Sequence, residues 1–196
     1  MYGGAFNPPH RDHSGIISRL LEEVSDSVLI IPTGKRIDKE YMWVSDAHRE
    51  DMIRLATEEY GAQVEIDTTF LYGDIPTTTL NQANYLREKY SREIPQVFGS
   101  DVAPKMSVWD PTWYVPYRLP KVFIARPGHP ISSESIGNYE TVEYESRWFS
   151  STAVRELVGQ VLHWDQSRAE SLQMMVHDRV AHFIFQNWLF VPSEQV

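Results

Sequence analysis

This chain of 196 residues alternates short apolar runs with longer stretches in which apolar residues recur at helical spacing. The short runs cover residues 28–31, 64–66, 96–98, 122–125 and 141–144. Helical spacing covers residues 14–24, 46–60, 79–90, 153–162 and 172–189. Strands that alternate with helices are typical of a parallel sheet with helices packed on both faces. The sequence therefore predicts an α/β fold with an open parallel sheet and a small helical part near the C-terminal end.

Composition narrows the classes of protein to consider. A length of 196 residues suits one domain, and we draw no boundary within residues 1–196. The net charge of −9 argues against a large nucleic-acid-binding surface, although a few local cations can still hold a nucleotide. The chain has no cysteine, which excludes disulfides and thiolate metal sites. It has no signal peptide and no apolar run long enough to span a membrane, so we expect a cytoplasmic protein, with a homo-oligomer left open.

Four turns rich in glycine or proline mark the predicted binding edge of the sheet. These turns cover residues 3–4, 32–34, 99–101 and 126–128. They lie where predicted strands end, and open parallel sheets bind their ligands beyond the carboxyl ends of the strands. We therefore expect the turns to form a ligand-binding site together.

Two histidines three residues apart, His10 and His13, follow the first glycine pair. If a helix begins near His10, both imidazoles lie on one face of its first turn. A helix N-terminus presents free N–H groups and the positive end of the helix dipole, so it suits a phosphate. The imidazoles could then donate hydrogen bonds to an oxygen that gains charge during phosphoryl chemistry. An isolated pair of this kind is more often two surface histidines on an amphipathic helix.

A series of motifs makes the chain resemble the nicotinate mononucleotide adenylyltransferase family, within the HxGH nucleotidyltransferases. The segment 3–13 is similar to the family motif GGTFDPxHxGH, and residues 49–52 fit its R-x-x-M helix. The other matches, in order, are Lys39, residues 77–79, Gly99 with Asp101 and Trp109, and residues 126–128, 149–155 and 180–184. The resemblance implies a Rossmann-like fold in a single nucleotidyltransferase domain. Only Met1 and Tyr2 precede Gly3, so it also implies that the first, central strand is truncated.

The resemblance implies adenylyl transfer from ATP to nicotinate mononucleotide, which gives deamido-NAD and pyrophosphate in NAD biosynthesis. The partners would be ATP and a pyridine mononucleotide, with Mg²⁺ carried by ATP and no metal site on the protein. His10 and His13 would contact the ATP phosphates, and Arg155 would hold the β- and γ-phosphates. The other residues of the ATP site would be Gly3, Gly4, Phe6, Lys39, Gly99, Asp101, Ser150, Ser151 and Thr152.

Three further residues would form the mononucleotide site. The resemblance implies that Trp109 stacks on the pyridine ring, that Thr79 lies beside its carboxylate, and that Arg126 belongs to the same site. Thr78 stands where the family has a tyrosine, so the choice between the acid and the amide of the pyridine stays open. Taken singly, each of these residues is more often a packing, capping or solvated surface residue.

One position departs from the family pattern, because Asp12 stands where HxGH has its glycine. A carboxylate beside bound phosphates repels them, so we expect Asp12 to turn toward solvent, Arg11 or Lys39. Two alternatives to the main hypothesis follow. The chain could use nicotinamide mononucleotide or another acceptor, or it could be a catalytically impaired nucleotide-binding relative marked by Asp12.

Overall fold

The structure is a computed structural model that describes residues 1–34, 44–109, 114–131, 136–160 and 166–191. Within these residues, six parallel strands form one sheet in the order β3-β2-β1-β4-β5-β6. The strands are β1 (Tyr2–Gly4), β2 (Val28–Pro32), β3 (Val64–Ile66), β4 (Gln96–Gly99), β5 (Lys121–Ile124) and β6 (Glu140–Val142). This order reverses direction between β1 and β4, which is where open parallel sheets form a ligand-binding crevice.

Helices connect the strands and cover the sheet. They are α1 (Arg11–Glu23), α2 (Asp46–Thr57), α3 (Thr69–Tyr72), α4 (Thr79–Tyr90), α5 (Met106–Trp109), α6 (Tyr114–Tyr117), α7 (Ser151–Gly159), α8 (Gln166–Met175) and α9 (Asp178–Gln186). Two 3₁₀ helices lie at Glu58–Gln63 and Ser100–Lys105. The hydroxyl groups of Ser45, Thr78 and Ser150 each accept a backbone N–H, and so cap α2, α4 and α7. Among the described residues, no helix is both long enough and apolar enough to cross a membrane.

The core lies on both faces of the sheet because successive side chains of a strand point to opposite sides. In β5, Val122 and Ile124 pack in a cluster that includes Ile17 of α1, whereas Phe123 packs in a separate cluster with Met106 of α5. The α/β fold predicted from the alternating pattern is confirmed.

The central strand differs from the expectation. Gly3 and Gly4, predicted to be a turn after a truncated strand, are themselves part of β1. Tyr2 aligns with Ile30 of β2 on one side and with Val97 of β4 on the other. A short strand is enough here because it pairs on both sides, which satisfies backbone groups that burial would otherwise leave unbonded.

The C-terminal helices also differ from the expectation. The predicted helix over 172–189 is wrong, because α8 ends at Met175 and α9 begins at Asp178. The side chain of His177 accepts the backbone N–H of Arg179 at 3.4 Å, so this local contact starts a new helix. Both helices still bury their apolar residues in one cluster with α2 and α7, which explains why the spacing looked continuous.

Two other boundaries shift. The last strand ends at Val142 rather than at residue 144, and α7 begins at Ser151 rather than at residue 153. The stretch 102–120, predicted to be irregular, contains most of a 3₁₀ helix and the short helices α5 and α6 in its described part.

A buried guanidinium joins the ends of β1 and β2. Arg49 of α2 is 0% exposed, and its Nη2 donates to the carbonyl oxygens of Ala5 at 2.7 Å and Thr33 at 2.5 Å. Its Nε also reaches Ala5, and its Nη1 pairs with Asp46 at 2.9 Å. Arg49 therefore fixes the loops that leave the two central strands.

Replacing Arg49 with methionine is expected to lower the free energy of unfolding by about 3 kcal/mol, because two partly buried carbonyls and Asp46 lose their partner. Urea unfolding measures the loss. Arg54→Met is the matched control, since Arg54 lies on the same helix in an exposed pair with Glu50, and its loss should stay within about 0.5 kcal/mol. Equal losses in the two variants would contradict the anchoring role of Arg49.

Candidate active site

The two histidines lie together at the start of α1. His10 is the N-cap residue, and its ring centroid lies 3.7 Å from that of His13. The backbone N–H of His10 donates to Nδ1 of His13 at 3.1 Å. Because Nδ1 accepts this bond, a neutral His13 carries its proton on Nε2. Nε2 is then a hydrogen-bond donor.

Both imidazoles are neutral at pH 7. Burial lowers the pKa of His10 to about 4, although the carboxylate of Asp12 opposes the shift; the cation of Arg126 contributes to the lowering. Burial, together with His10 and Arg126, holds the pKa of His13 well below its ordinary value. The pair therefore offers N–H groups rather than positive charge to an incoming anion.

Two cavities meet beside these histidines. The larger, of about 670 Å³, lies at the crevice between β1 and β4, and the smaller, of about 290 Å³, lies toward α7. Both are lined by His13 and Arg126. The larger is also lined by Gly3, Gly4, Gly99, Thr79 and Trp109, and the smaller by His10, Asp12, Trp148 and Ser150. A ligand with two parts could place its junction at His13 and Arg126.

Asp12 does not turn toward solvent, as the sequence suggested it would. It is 4% exposed, and its carboxylate accepts bonds from the hydroxyls of Tyr144 and Ser146 and from the backbone N–H groups of Arg147 and Phe149. The expectation of a contact with Arg11 is wrong, because Arg11 bonds to the Gln173 carbonyl and to Asp178. Lys39 lies outside the described residues. Asp12 thus ties the chain after β6 to the first turn of α1.

A glycine makes room for this tie. A Cβ added to Gly15 would lie 2.3 Å from the hydroxyl oxygen of Tyr144, which is too close for any side chain. Gly15 lies three residues after Asp12 on α1, and the Tyr144 hydroxyl reaches across it to donate to Asp12 at 3.0 Å. The contact draws the chain out of the sheet after Val142, which is why β6 ends earlier than predicted.

The N-terminus of α7 is joined to the loop after β1. Ser151 Oγ donates to the carbonyl oxygen of Pro8 at 2.8 Å, and Arg155 Nη1 donates to that of Asn7 at 2.7 Å. Arg155 Nη2 also donates to Thr152 Oγ1 at 3.1 Å, while Ser150 caps the helix. Burial lowers the pKa of Arg155, which still stays a cation at neutral pH. The structure thus brings a guanidinium and a second helix N-terminus to the loop that carries the histidines.

Asp101 and Arg126, predicted for different substrates, pair with each other. Arg126 Nε lies 3.2 Å from Asp101 Oδ1, and the backbone N–H of Arg126 donates to Ser100 Oγ at 2.9 Å. A Cβ on Gly99 would lie 2.4 Å from Asp101 Oδ1 and 2.7 Å from Arg126 Nε. Gly99 is therefore required for this pair, which holds Arg126 at the junction of the cavities.

The remaining predicted residues fall into two groups. Thr79 and the half-exposed Trp109 line the larger cavity, where Trp109 lies 6.4 Å from the ring of Phe98. Phe6 does not present its side chain to either cavity. Its ring is 2% exposed and packs against Tyr2 and His13, so a contact with ATP would come only from its backbone.

Sequence reasoning missed two buried glutamines in the larger cavity, Gln82 of α4 and Gln96 of β4. The signal was available for Gln96, because an amide at the start of an otherwise apolar strand needs a polar partner. It was weaker for Gln82, since a glutamine in a helix usually faces solvent.

Comparison with known proteins agrees with the resemblance that the sequence motifs indicate. The cytidylyltransferase-like family model matches residues 1–157. A "Probable nicotinate-nucleotide adenylyltransferase" of a Nitratiruptor species is 28% identical over 157 residues, which cover 79% of this chain and 85% of the relative. A protein of the same description from Wigglesworthia glossinidia brevipalpis is 32% identical over 112 residues, which cover 55% of this chain and 53% of the relative.

Solved structures show the same fold. Plasmodium falciparum nicotinic acid mononucleotide adenylyltransferase complexed with NaAD superposes with a TM-score of 0.79 at 15% identity, over 96% of this chain and 95% of that chain. The same protein complexed with APC gives a TM-score of 0.73 at 15% identity, over 96% and 94% of the two chains. Together with the sequence relatives, these structures confirm the resemblance that the ordered motifs indicate.

Asp12→Asn is expected to lower the free energy of unfolding by about 2 kcal/mol, because the new amide turns one acceptor into a donor that faces other donors. Urea unfolding measures the change, and Asp51→Asn, at an exposed position of α2, is the matched control. A loss no larger than that of the control would show that the four contacts of Asp12 carry no net stability.

Stability is expected to fall as the pH drops from about 6.5 toward about 4, in part because of His10. The pKa of His10 is lower in the folded protein than in the unfolded chain, so the unfolded chain binds more protons across this window. The contribution of His10 to the free energy of unfolding is therefore fully present above its pKa in the unfolded chain. It is lost as the pH falls below that value toward the pKa of the folded protein. His10→Gln should flatten this part of the dependence of melting temperature on pH.

The measurement is the melting temperature of parent and His10→Gln at intervals between pH 7.5 and 4. His182→Gln, at an exposed position of α9, is the control for the substitution itself. Identical curves for parent and His10→Gln would refute the burial of a neutral imidazole at this position.

Proposed function

Because the chain belongs to the cytidylyltransferase-like family and is thus a nucleotidyltransferase, we propose that it transfers the adenylyl group of ATP to nicotinate mononucleotide. The observation that carries the proposal is the convergence of three features on one loop. The first turn of α1 with two neutral histidines, the N-terminus of α7, and the Arg155 guanidinium all meet at the loop after β1. This is a set of donors for phosphate oxygens.

The proposed reaction needs no nucleophile from the protein. A 5′-phosphate oxygen of the mononucleotide attacks the α-phosphorus of ATP, and the bond from that phosphorus to the oxygen bridging to the β-phosphorus breaks. The products are deamido-NAD and pyrophosphate. The task of the protein is to hold two anions in line and to stabilise the charge that moves onto pyrophosphate.

The described residues fit these tasks. In the proposed complex, His10 and His13 donate hydrogen bonds to phosphate oxygens as neutral rings, because both lack a positive charge at neutral pH. Arg155 is proposed to provide a charged group for the β- and γ-phosphates, and Ser150 lines the smaller cavity. Lys39 is proposed to reach the triphosphate as well, although it lies outside the described residues.

The mononucleotide is proposed to occupy the larger cavity. Trp109 lies at its wall with half of its surface exposed, where an aromatic face can stack on a pyridine ring. Thr79 lies in the same wall, at the N-terminus of α4. Arg126 lines both cavities, and we propose that it belongs to the mononucleotide site.

Mg²⁺ is proposed to arrive with ATP. The carboxylate of Asp12 is occupied by four donors and that of Asp101 lies against Arg126, so both are engaged by protein groups. The groups that face the phosphate region are imidazoles, hydroxyls and a guanidinium, which bind phosphate oxygens better than they bind Mg²⁺. Bound Mg²⁺ would neutralise part of the triphosphate charge.

The direct test measures pyrophosphate release from ATP with nicotinate mononucleotide and identifies the dinucleotide by mass. Release that requires both substrates supports the proposal. If the protein binds ATP but releases no pyrophosphate with nicotinate mononucleotide, nicotinamide mononucleotide or another phosphate acceptor, it is instead a nucleotide-binding relative.

Arg155→Ala is expected to reduce kcat/KM for ATP by about a hundredfold, because a charged hydrogen-bonding group leaves the phosphate site. Steady-state kinetics of pyrophosphate release measures the loss, and a thermal melt of the same sample separates it from unfolding. Arg155→Lys should recover only part of the activity, since a lysine cannot bond Asn7 and Thr152 in the same fork. Arg92→Ala, at an exposed position, is the control, and a matching loss there would overturn the assignment.

A further inference from the structure

Two buried amides in the larger cavity each have one polar atom without a hydrogen-bond partner within the part of the chain that the structure describes. Gln82 is 6% exposed and Gln96 is 1% exposed, and both line the cavity. Nε2 of Gln82 and Oε1 of Gln96 are buried and have no hydrogen-bond partner among the described residues. A buried polar atom without a partner is costly, so one donor and one acceptor at the wall of a cavity point to a ligand that supplies both partners.

A contact to the backbone fixes the orientation of the Gln96 amide. Its Nε2 donates to the carbonyl oxygen of Thr79 at 3.4 Å. Since the nitrogen is used in this bond, Oε1 is the atom left to accept a hydrogen bond from a ligand. Flipping the amide would place an oxygen against the carbonyl oxygen of Thr79.

Gln82 lies beside the central strand. A Cβ added to Gly3 would lie 3.6 Å from Gln82 Nε2 in ordinary contact, so the amide packs on the backbone of β1. Thr79 and Gln82 are three residues apart on α4, on one face of that helix. The two amides therefore belong to the crevice between β1 and β4, on the side of the site where Thr79 and Trp109 lie.

We propose that Gln82 and Gln96 form a subsite for a carboxamide, and that the chain adenylylates nicotinamide mononucleotide as well as the nicotinate compound. This inference rests on the proposed function. A primary carboxamide has one carbonyl oxygen to accept from Gln82 Nε2 and one NH₂ group to donate to Gln96 Oε1. A carboxylate has acceptors alone, so one of its oxygens would face Gln96 Oε1 without a proton between them.

The charges around the cavity agree with this reading. Both glutamines are neutral, and Arg126, a cation that lines the same cavity, pairs with Asp101. A site built for a carboxylate alone would be expected to offer donors only, or an uncompensated cation. With one donor and one acceptor, the site gives the nicotinate compound no binding advantage over the nicotinamide compound.

The test compares kcat/KM for nicotinate mononucleotide and nicotinamide mononucleotide, measured as pyrophosphate release at saturating MgATP. For the parent, the two values are expected to lie within about tenfold of each other. Gln96→Leu should lower the value for the amide by about tenfold or more and that for the acid by less than about threefold, because the amide alone loses a partner.

Controls separate this inference from the proposed function. Gln63→Leu, at an exposed position, should change neither value. If Gln96→Leu melts early, Gln82→Leu replaces it. Calorimetry then titrates the parent and Gln82→Leu with nicotinamide mononucleotide. We expect saturable binding to the parent and weaker binding to the variant. Release with the acid but none with the amide, or equal losses for both acceptors in the variants, would overturn the subsite. Release with neither acceptor would overturn the proposed function instead.

Discussion

The candidate site depends on how the carbonyl groups of the loop after β1 are held. Ala5, Asn7 and Pro8 each give their carbonyl oxygen to a donor from another element, namely Arg49 of α2, Arg155 of α7 and Ser151 of α7. A carbonyl oxygen carries partial negative charge, so a loop that binds anions must direct these groups elsewhere. Each donor binds a carbonyl and at the same time brings its helix to the loop. One set of bonds thus shapes the loop and assembles the site.

The two histidines at this loop are neutral because they lie close together and are buried. An imidazolium pair 3.7 Å apart would repel itself, and burial makes that form more costly still. Neutral rings avoid this cost, and each keeps one N–H group that can donate a hydrogen bond. The positive charge of the site then comes from the guanidinium groups of Arg155 and Arg126.

Much of the fold could be predicted from the sequence because hydrophobic periodicity is local. Strands such as 122–125 carry their pattern within a few residues, and so does the buried face of α1. The break between α8 and α9 could not be predicted in this way, because the apolar spacing runs through His177 and both helices bury the same face. The end of β6 was likewise set by a distant contact, the carboxylate of Asp12, which no local pattern reveals.

The same distinction applies to the site. Histidines, glycines and the Ser-Ser-Thr cap are recognisable as an ordered series, and the structure brings most of their positions to one edge of the sheet. The pairing of Asp101 with Arg126 and the buried amides of Gln82 and Gln96 depend on which strands become neighbours. Strand order is a property of the whole chain, so these contacts required the structure.

The contact of Asp12 with Tyr144 across Gly15 makes three positions act as one unit. The carboxylate of Asp12 accepts a hydrogen bond from the hydroxyl of Tyr144, and that hydroxyl fits there only because Gly15 has no side chain. Placing the family glycine at position 12 alone would leave the hydroxyl of Tyr144 without its acceptor. We expect these positions to covary across relatives, and their substitutions to be non-additive in a double-mutant cycle.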